Sequence, residues 1–484
     1  METRKNIFYN IILALSQVLF PLITFPYLAR TLGPEHIGVI NFAESFSRYF
    51  IAVAAFGIPI YGVREIAKVQ NNLALRSQLL CEIFLINFIA SILLSLFYIW
   101  MIFSFDKLLL EKNVFIFSLI YFVLNVFYLE WFFTGMSQFK YVATRFFIIR
   151  LFLVFIVFTF IKTNLDYKYY FQMQVALGVL VAILNFYYLK KYNIIDLKSV
   201  KNINLKKHVR PLFILFLTLF SISIYLNLDT VFLGFLSNNE TVGYYSSALK
   251  LNKLVISILA AISAALFPTL VSLYQKGEIQ EFKQLVTDCI YIILSLSLPA
   301  VVLIIGCARE IIFILFGENF ERSILPLQIS SPIILFVSLS TVFGFQILSA
   351  LSKDRSIFIS TLIGMSVSLI LSYPLIINFK ENGEAIVILI TEFTVCLSFI
   401  IYSNKFYPLF HYKKFFIQQL ISVIPYILII LIFKNIVDNL FIRFISITSI
   451  SVLWFSAFHF VILKESLFRT QLLKTIVDKT QISS

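Results

Sequence analysis

Apolar runs of roughly 20 residues alternate with short polar segments along almost the whole chain. A bilayer core about 30 Å thick takes about 20 apolar residues per helix, so these runs predict membrane spans. The runs are continuous rather than alternating, which favours helices over the strands of a barrel. The predicted fold class is all-α, a polytopic membrane protein of about fourteen transmembrane helices. The predicted spans are residues 7–31, 37–61, 79–103, 114–134, 142–162, 169–189, 211–236, 242–271, 286–306, 324–350, 357–379, 385–404, 416–434 and 441–463.

Composition and charge agree with a membrane location. Hydrophobic residues make up 60% of the 484 residues and charged residues only 13%, whereas about a quarter of a soluble protein is charged. Most lysines and arginines fall in the loops on the face that holds both termini, so we expect both termini to be cytoplasmic. Topology and anionic headgroups thus explain the net charge of +14, and no nucleic-acid partner is predicted. The four cysteines are single and widely spaced, and no metal site or cofactor is predicted.

Two segments of the chain match each other. Residues 32–48 read LGPEHIGVINFAESFSR and residues 236–253 read LSNNETVGYYSSALKLNK. Aligning Glu35 with Glu240 pairs Gly38 with Gly243. Six helices return the chain to the side where it began, so a second copy has the same orientation.

The repeat predicts two six-helix lobes as parallel repeats, followed by a C-terminal helix pair. The predicted boundaries are 1–189 for the first lobe, 190–210 for a basic cytoplasmic linker, 211–404 for the second lobe and 405–484 for the appended helix pair with a cytoplasmic tail.

Four basic residues lie deep within the spans, Arg48 in the second, Arg150 in the fifth, and Lys250 and Lys253 in the eighth. The repeat alignment places Arg48 opposite Lys253. A charged side chain at the bilayer centre costs about 2.5 to 3.5 kcal/mol on insertion scales, so it normally faces a partner or a watery cavity. Unpaired cations in a central cavity would suit a phosphate or pyrophosphate. The alternative is structural pairing, of Arg48 with Glu44 and of either lysine with Asp229.

Acidic residues within the spans are candidates for coupling transport to an ion. Asp229, Glu44 and Glu392 could carry a proton or help to bind sodium. A hydrogen-bonded structural role remains open for each. Glu130 lies near a span end, where it can reach water, and is a weaker candidate.

The first span carries a polar stripe, with Asn10, Gln17 and Thr24 at steps of seven residues. Pro21 and Pro26 should bend this helix. A moving gate helix would need such a bend, but prolines are also common in membrane helices for structural reasons.

Catalytic motifs are not visible in the sequence. The chain holds no HExxH, phosphate-binding loop or nucleophile elbow, so neither ATP-driven transport nor an enzyme is predicted. A membrane polymerase of polysaccharides would need a substantial outer loop, and the predicted outer loops are short.

Three stretches resemble a known family. They are PLITFPYLARTLGPEHIGVINFAESFSRYFIAVAAFGIPIYGVREIAK at 21–68, EWFFTGMSQFKY at 130–141 and LNLDTVFLGFLSNNETVGYYSSALK at 226–250. The chain resembles the O-antigen and capsular polysaccharide flippases of bacteria, part of the multidrug/oligosaccharidyl-lipid/polysaccharide exporter superfamily.

The resemblance implies alternating-access translocation of an undecaprenyl-pyrophosphate-linked oligosaccharide. The repeat unit would move from the cytoplasmic to the periplasmic leaflet of the inner membrane, with membrane lipids and possible polymerase and chain-length regulator proteins as partners. By this analogy Arg48, Lys250 and Lys253 would attract the pyrophosphate or acidic sugars, and an acidic residue would couple the cycle to ions. A drug/cation antiporter, a lipid II flippase and a polysaccharide polymerase remain alternatives.

Overall fold

The apolar runs form helices because backbone groups in a bilayer must satisfy their hydrogen bonds within the segment. The computed structural model describes residues 2–196, 200, 203–405 and 413–462, and their side chains except those of 2–15, 18, 214, 217–227, 413–416 and 460–462. Throughout these residues every regular element is a helix, which confirms the predicted fold class.

The α-helices are, in chain order, α1 (Glu2–Ala55), α2 (Ile58–Lys68), α3 (Leu73–Ser104), α4 (Asp106–Leu110), α5 (Lys112–Leu124), α6 (Glu130–Gly135), α7 (Phe139–Phe160), α8 (Tyr167–Lys191), α9 (Lys206–Leu236), α10 (Asn239–Gln275), α11 (Ile279–Gly306), α12 (Ala308–Leu315), α13 (Ile324–Ser330), α14 (Ile333–Ser340), α15 (Asp354–Asn404), α16 (Lys413–Ile436) and α17 (Leu440–Ser456).

Fewer uninterrupted span candidates are found in the described residues than the fourteen predicted spans. Within the described residues nine helices are long and apolar enough to cross a membrane, and counting each of two bent helix pairs as one span gives eleven. The longest helices, α1 and α15, each contain a break that divides them into two spans. With both arms of these helices counted, and with α9 added, the described helices account for the fourteen predicted spans.

The breaks in α1 and α15 lie between predicted spans. Gly33 has a φ of 75°, a conformation that glycine adopts at little cost, and Pro34 starts the second arm of α1. In α15 the break is at Lys380, with a φ of 51°. The two arms of α15 run antiparallel, since the hydroxyls of Ser360 and Ser398 lie 2.8 Å apart.

The fourth predicted span is not one continuous helix. It consists of α5, a 3-10 turn at Asn125–Tyr128 and the short helix α6. Leu129, between the turn and α6, has a φ of 50°. The apolar run 114–134 does not indicate this break, because a change in backbone conformation leaves the hydrophobicity of the residues unchanged.

By its internal contacts the chain divides into two units. The first contains Met1–Ser246 and Ser368–Glu384, and the second contains Ser247–Val367 and Ala385–Ser484. The first unit therefore includes α9 and the start of α10 as well as the predicted first lobe. The predicted lobe and linker boundaries remain a prediction.

In the first unit, the start of α9 and the residues just before it are bound to α3 through Glu82. The fully buried carboxylate of Glu82 accepts bonds from Nζ of Lys207 at 2.8 Å and from the backbone N of Asn204 at 2.9 Å. It also lies 2.9 Å from Nε2 of His208, whose Nδ1 is 2.7 Å from Oη of Tyr61. Three groups thus converge on one buried acid and hold the start of α9 in place.

A second polar contact, again in the first unit, lies at the other end of α9. Lys107, on the short helix α4, donates from Nζ to the backbone oxygens of Gly234 and Ser237. Burial lowers the pKa of the Lys107 amine, because desolvation disfavours the charged form.

The appended helix pair packs within the second unit. Arg443, on α17, forms a 3.0 Å ion pair with the buried carboxylate of Glu310 on α12. The same guanidinium donates from Nε to the backbone oxygen of Val437, near the end of α16. One arginine therefore joins the appended pair to the preceding helices.

Candidate functional site

The second arm of α1 and the start of α10 touch at positions that the repeat makes equivalent. Nδ2 of Asn41 donates to Oγ of Ser246 at 2.6 Å, across a separation of 205 residues. This is the shift that aligns Glu35 with Glu240, so the two bonded residues are counterparts.

Glycines bring the two backbones together beside this bond. A Cβ on Gly38 would lie 1.6 Å from the carbonyl oxygen of Asn239, and one on Gly243 would lie 1.9 Å from that of Pro34. Pro34 and Asn239 are also counterparts under the same shift. Each copy thus touches the other in the same way, as expected of two repeats related by a two-fold axis.

Arg48 lies near the middle of the second predicted span, on the same arm of α1. Its guanidinium is 3.8 Å from the carboxylate of Glu44, and its side chain is 60% exposed. Glu44 also accepts a bond from Nε2 of Gln174, on α8, at 3.3 Å. The pairing that the sequence left open is thus present, but most of the Arg48 side chain remains accessible.

The two lysines on α10 belong to the second unit, whereas Arg48 belongs to the first. Lys253 is exposed and Lys250 is half-buried. Between them, Asn252 is fully buried and donates to Oγ of Ser330, on α13, at 2.8 Å. This bond fixes the rotation of α10 about its own axis. Asn252 therefore faces the packed side of the helix, and Lys253 points away from it. A shared site for Arg48 and the lysines remains a prediction.

Asp229, on α9, is buried and well supplied with hydrogen bonds. Its Oδ2 accepts from Oη of Tyr245 at 2.9 Å, and its Oδ1 accepts from the backbone N of Thr230 at 2.7 Å. Asp229 is 6% exposed. The geometry is compatible with a structural acid and with an ion-coupling acid.

Glu384 is a buried acid that the sequence analysis missed. It is 0% exposed, and neither of its carboxylate oxygens has a hydrogen-bond partner in the described structure. Asp229 is the charged group that acts on it, and the hydroxyl of Ser372 lies nearby on the other arm of α15. The sequence predicts a loop between spans 357–379 and 385–404, and Glu384 falls at the end of that loop. The second arm of α15 in fact starts earlier, directly after Lys380.

The remaining predicted residues do not join one cluster. Glu392 is 6% exposed in the second unit. In the first span, Thr24 donates to the backbone oxygen of Phe20 at 2.9 Å, Gln17 is exposed, and the side chain of Asn10 lies outside the described residues. The helical backbone continues through Pro21 and Pro26, and the break in α1 comes later, at Gly33.

Glu130 lies at the break in the fourth span. It pairs with Arg145, on α7, at 3.2 Å, and the arginine side chain is only 4% exposed. Asn185, on α8, donates to the backbone oxygens of Phe127 and Tyr128 at 2.9 and 2.7 Å. Side-chain donors thus replace the helical hydrogen bonds lost at the break.

Comparisons with known proteins agree on the type of membrane protein. The chain matches the family described as "Polysaccharide biosynthesis protein" over residues 3–274. It is 27% identical over 400 residues to the "Putative O-antigen transporter" of Escherichia coli (strain K12), a match that covers 81% of this chain and 94% of the relative.

Solved structures show the same fold. The structure titled "Lipid II flippase MurJ, inward closed conformation" matches with a TM-score of 0.70 at 18% identity, covering 95% of this chain and 100% of that one. An inward-facing multidrug resistance transporter of the MATE family matches with a TM-score of 0.63 at 14% identity, covering 80% of this chain and 94% of that one. These structures show that the chain shares their fold. Because the family match spans more than half of the chain, the protein belongs to the polysaccharide biosynthesis protein family.

Proposed function

We propose that this protein is a flippase for undecaprenyl-pyrophosphate-linked repeat units of O-antigen or a related polysaccharide. It moves them from the cytoplasmic to the periplasmic leaflet of the bacterial inner membrane, with both termini in the cytoplasm. The 27% identity to the Escherichia coli relative, over 94% of that protein, supports the substrate class. The protein does not act as an enzyme in this scheme, and a polymerase and a chain-length regulator act after it.

One observation carries the proposal most directly. Arg48 lies near the middle of a predicted span, yet its side chain is 60% exposed. A guanidinium at that depth would be expensive in lipid. Its neighbours Glu44 and Gln174 are polar, so the accessible face of Arg48 fits an aqueous pathway for an anionic headgroup.

The proposed substrate site combines Arg48 with Lys250 and Lys253. Arginine forms two parallel hydrogen bonds to phosphate oxygens, and lysine acts as a compact point charge beside them. The exposure of Lys253 supports this role. The three cations would hold the pyrophosphate while the lipid tail stays in the bilayer.

Alternating access would require the contact between the second arm of α1 and the start of α10 to open. The contact includes the hydrogen bond between Asn41 and Ser246, and the glycine crossing adds close packing. A small interface of this kind can separate as a unit.

Ion coupling is assigned to Asp229 with Glu384, and Glu44 and Glu392 are further candidates. The buried carboxyl group of Glu384 lies near Asp229 and the hydroxyl of Ser372, so two acids are close enough to share the handling of one proton. Opening to water would allow Glu384 to release a proton. This step would link the transport cycle to a proton gradient.

The test is the fate of lipid-linked glycans in cells that lack this protein. Single repeat units protected from a periplasmic glycosidase would support flipping. Single units that reach the enzyme would instead indicate a role in polymerisation. An unchanged glycan profile would overturn the proposal in favour of a drug or ion exporter, and a block in peptidoglycan precursors would indicate a lipid II flippase.

A further inference from the structure

Arg150 is a cation within the membrane that the proposed substrate site does not use. It lies at the middle of α7 (Phe139–Phe160), about 15 Å from either end at 1.5 Å per residue. The side chain is half-buried. An arginine at this depth needs a counter-charge or an aqueous surrounding.

A cavity of about 100 Å³ lies beside Arg150, within the first unit. Its polar lining comes from α5 and the following turn, α7, α8 and the first residue of α6, and includes Tyr121, Tyr128, Glu130, Arg145, Arg150 and Gln174. Apolar side chains complete the wall. The volume fits a small ion with some water, but not a sugar chain.

The charges around this cavity do not balance. Arg145 is paired with Glu130 at 3.2 Å, and Arg48 is paired with Glu44 at 3.8 Å. Among the described residues no carboxylate forms an ion pair with Arg150. Its guanidinium lies 5.1 Å from the ring centroid of Phe146. One positive charge is therefore left over.

Hydrogen-bond donors are also plentiful around Arg150. The phenol groups of Tyr121, Tyr128 and Tyr170 all lie within electrostatic range of Arg150. Each phenol has an O–H to donate, and a guanidinium has five N–H donors and no acceptor. The carboxylates of Glu44 and Glu130 already accept from Gln174 and Arg145. A ligand that fits this lining accepts hydrogen bonds and carries negative charge.

We propose that the Arg150 cavity binds a small inorganic anion, held by the guanidinium and the surrounding phenols. The anion would balance the charge of Arg150 and accept hydrogen bonds from the guanidinium and the phenols. Chloride and orthophosphate share this chemistry and are both within the size limit. Arg150 is not one of the proposed substrate cations, but the lining residue Gln174 also bonds to Glu44, the partner of Arg48. The anion site does not depend on the flippase function.

Thermal unfolding of the full-length protein tests this site. The protein is purified in detergent in sodium gluconate, and sodium chloride or sodium phosphate is added at constant ionic strength. A ligand that binds only the folded state raises the unfolding temperature in a saturable way. We expect such a rise for the natural sequence, at least a tenfold loss of apparent affinity in Arg150→Gln, and partial retention in Arg150→Lys.

Matched variants separate the site from general charge effects. Lys162→Gln removes one positive charge from the exposed end of the same helix and should respond like the natural sequence. Tyr121→Phe and Tyr128→Phe should each weaken the response and still fold, which keeps the test decisive if Arg150→Gln is unstable. Response to one anion alone identifies that anion as the ligand. An unchanged response in Arg150→Gln and Arg150→Lys, an equal loss in Lys162→Gln, or no saturable response at all would overturn the proposal.

Discussion

Asn41 donates a hydrogen bond to Ser246 at 2.6 Å, and the two residues are counterparts in the internal repeat. The bond lies where the two copies cross at glycines. A contact between counterparts is self-complementary, so small changes on either side affect the same interface. If transport proceeds by alternating access, this contact must form and break in each cycle.

Crosslinking the crossing should stop transport reversibly. In a background where Cys81, Cys289, Cys307 and Cys396 are replaced by serine, we introduce Asn41→Cys together with Ser246→Cys. Oxidation should join the two side chains and block glycan export, and a reductant should restore it. Each single substitution serves as a control that is insensitive to oxidant. Full export with the bond formed would show that this contact does not open.

Side chains at the crossing glycines should not be tolerated. In Gly38→Ala the new Cβ would lie 1.6 Å from the oxygen of Asn239, which forces the backbones apart at a cost of about 3 kcal/mol or more. We expect lower thermal stability and loss of O-antigen export. Gly277→Asn is the control, because no atom lies within 4 Å of a Cβ there and asparagine tolerates its φ of 76°. Equal behaviour of the two variants would contradict the close crossing.

Removing the buried acid that anchors the segment before α9 should be costly. Glu82→Ala leaves the buried ring of His208 without its acid partner, whereas Lys207 is 43% exposed and can turn to water. Leaving a buried polar group unsatisfied costs about 1 to 3 kcal/mol. The measurement is the free energy of unfolding of the purified protein. The control is Glu65→Ala, which removes the more exposed pair with Lys68 and should cost less than about 1 kcal/mol. Similar losses in both variants would argue against the anchoring role of Glu82.

Glu384→Gln should reduce ion coupling and leave the free energy of unfolding nearly unchanged. A neutral amide replaces a carboxyl group that is cut off from water, so the free energy of unfolding should change by less than about 1 kcal/mol. Flipping driven by a proton gradient in proteoliposomes should fall sharply, because the amide cannot release a proton. Gln419→Glu, which places an acid at another buried position outside the proposed site, should instead lower stability. Unchanged gradient dependence in Glu384→Gln would exclude this residue from coupling.

Several side chains of the candidate site could be found from the sequence, and others could not. Arg48 and Asp229 stood out because a charge in a long apolar run is expensive and therefore unusual. Glu384 was missed because it lies at the edge of a run, where charged residues are common. Only the turn at Lys380 shows that it starts a buried helical arm.

The residues that bind the broken fourth span could not be predicted from the sequence either. Asn185 and Arg145 are distant from Tyr128 in sequence, and their contacts depend on how α7 and α8 pack against the break. His208 has no motif around it in the sequence, yet it contacts Tyr61 and Glu82 from two other helices. Contacts of this kind require the tertiary structure, because no local pattern encodes them.

Hydrophobic run length and the match between two segments were enough to determine the helical class, the fourteen spans and the repeat. These features are local, and they follow from the thickness of the bilayer and the need to satisfy backbone hydrogen bonds within each span. Only the tertiary structure decided that the counterparts Asn41 and Ser246 touch, that Glu384 is buried near Asp229, and that Arg150 lines a cavity with several polar side chains. The physical reason is that burial and pairing of a polar side chain depend on neighbouring helices, whose positions are not determined by the hydrophobicity of any single one.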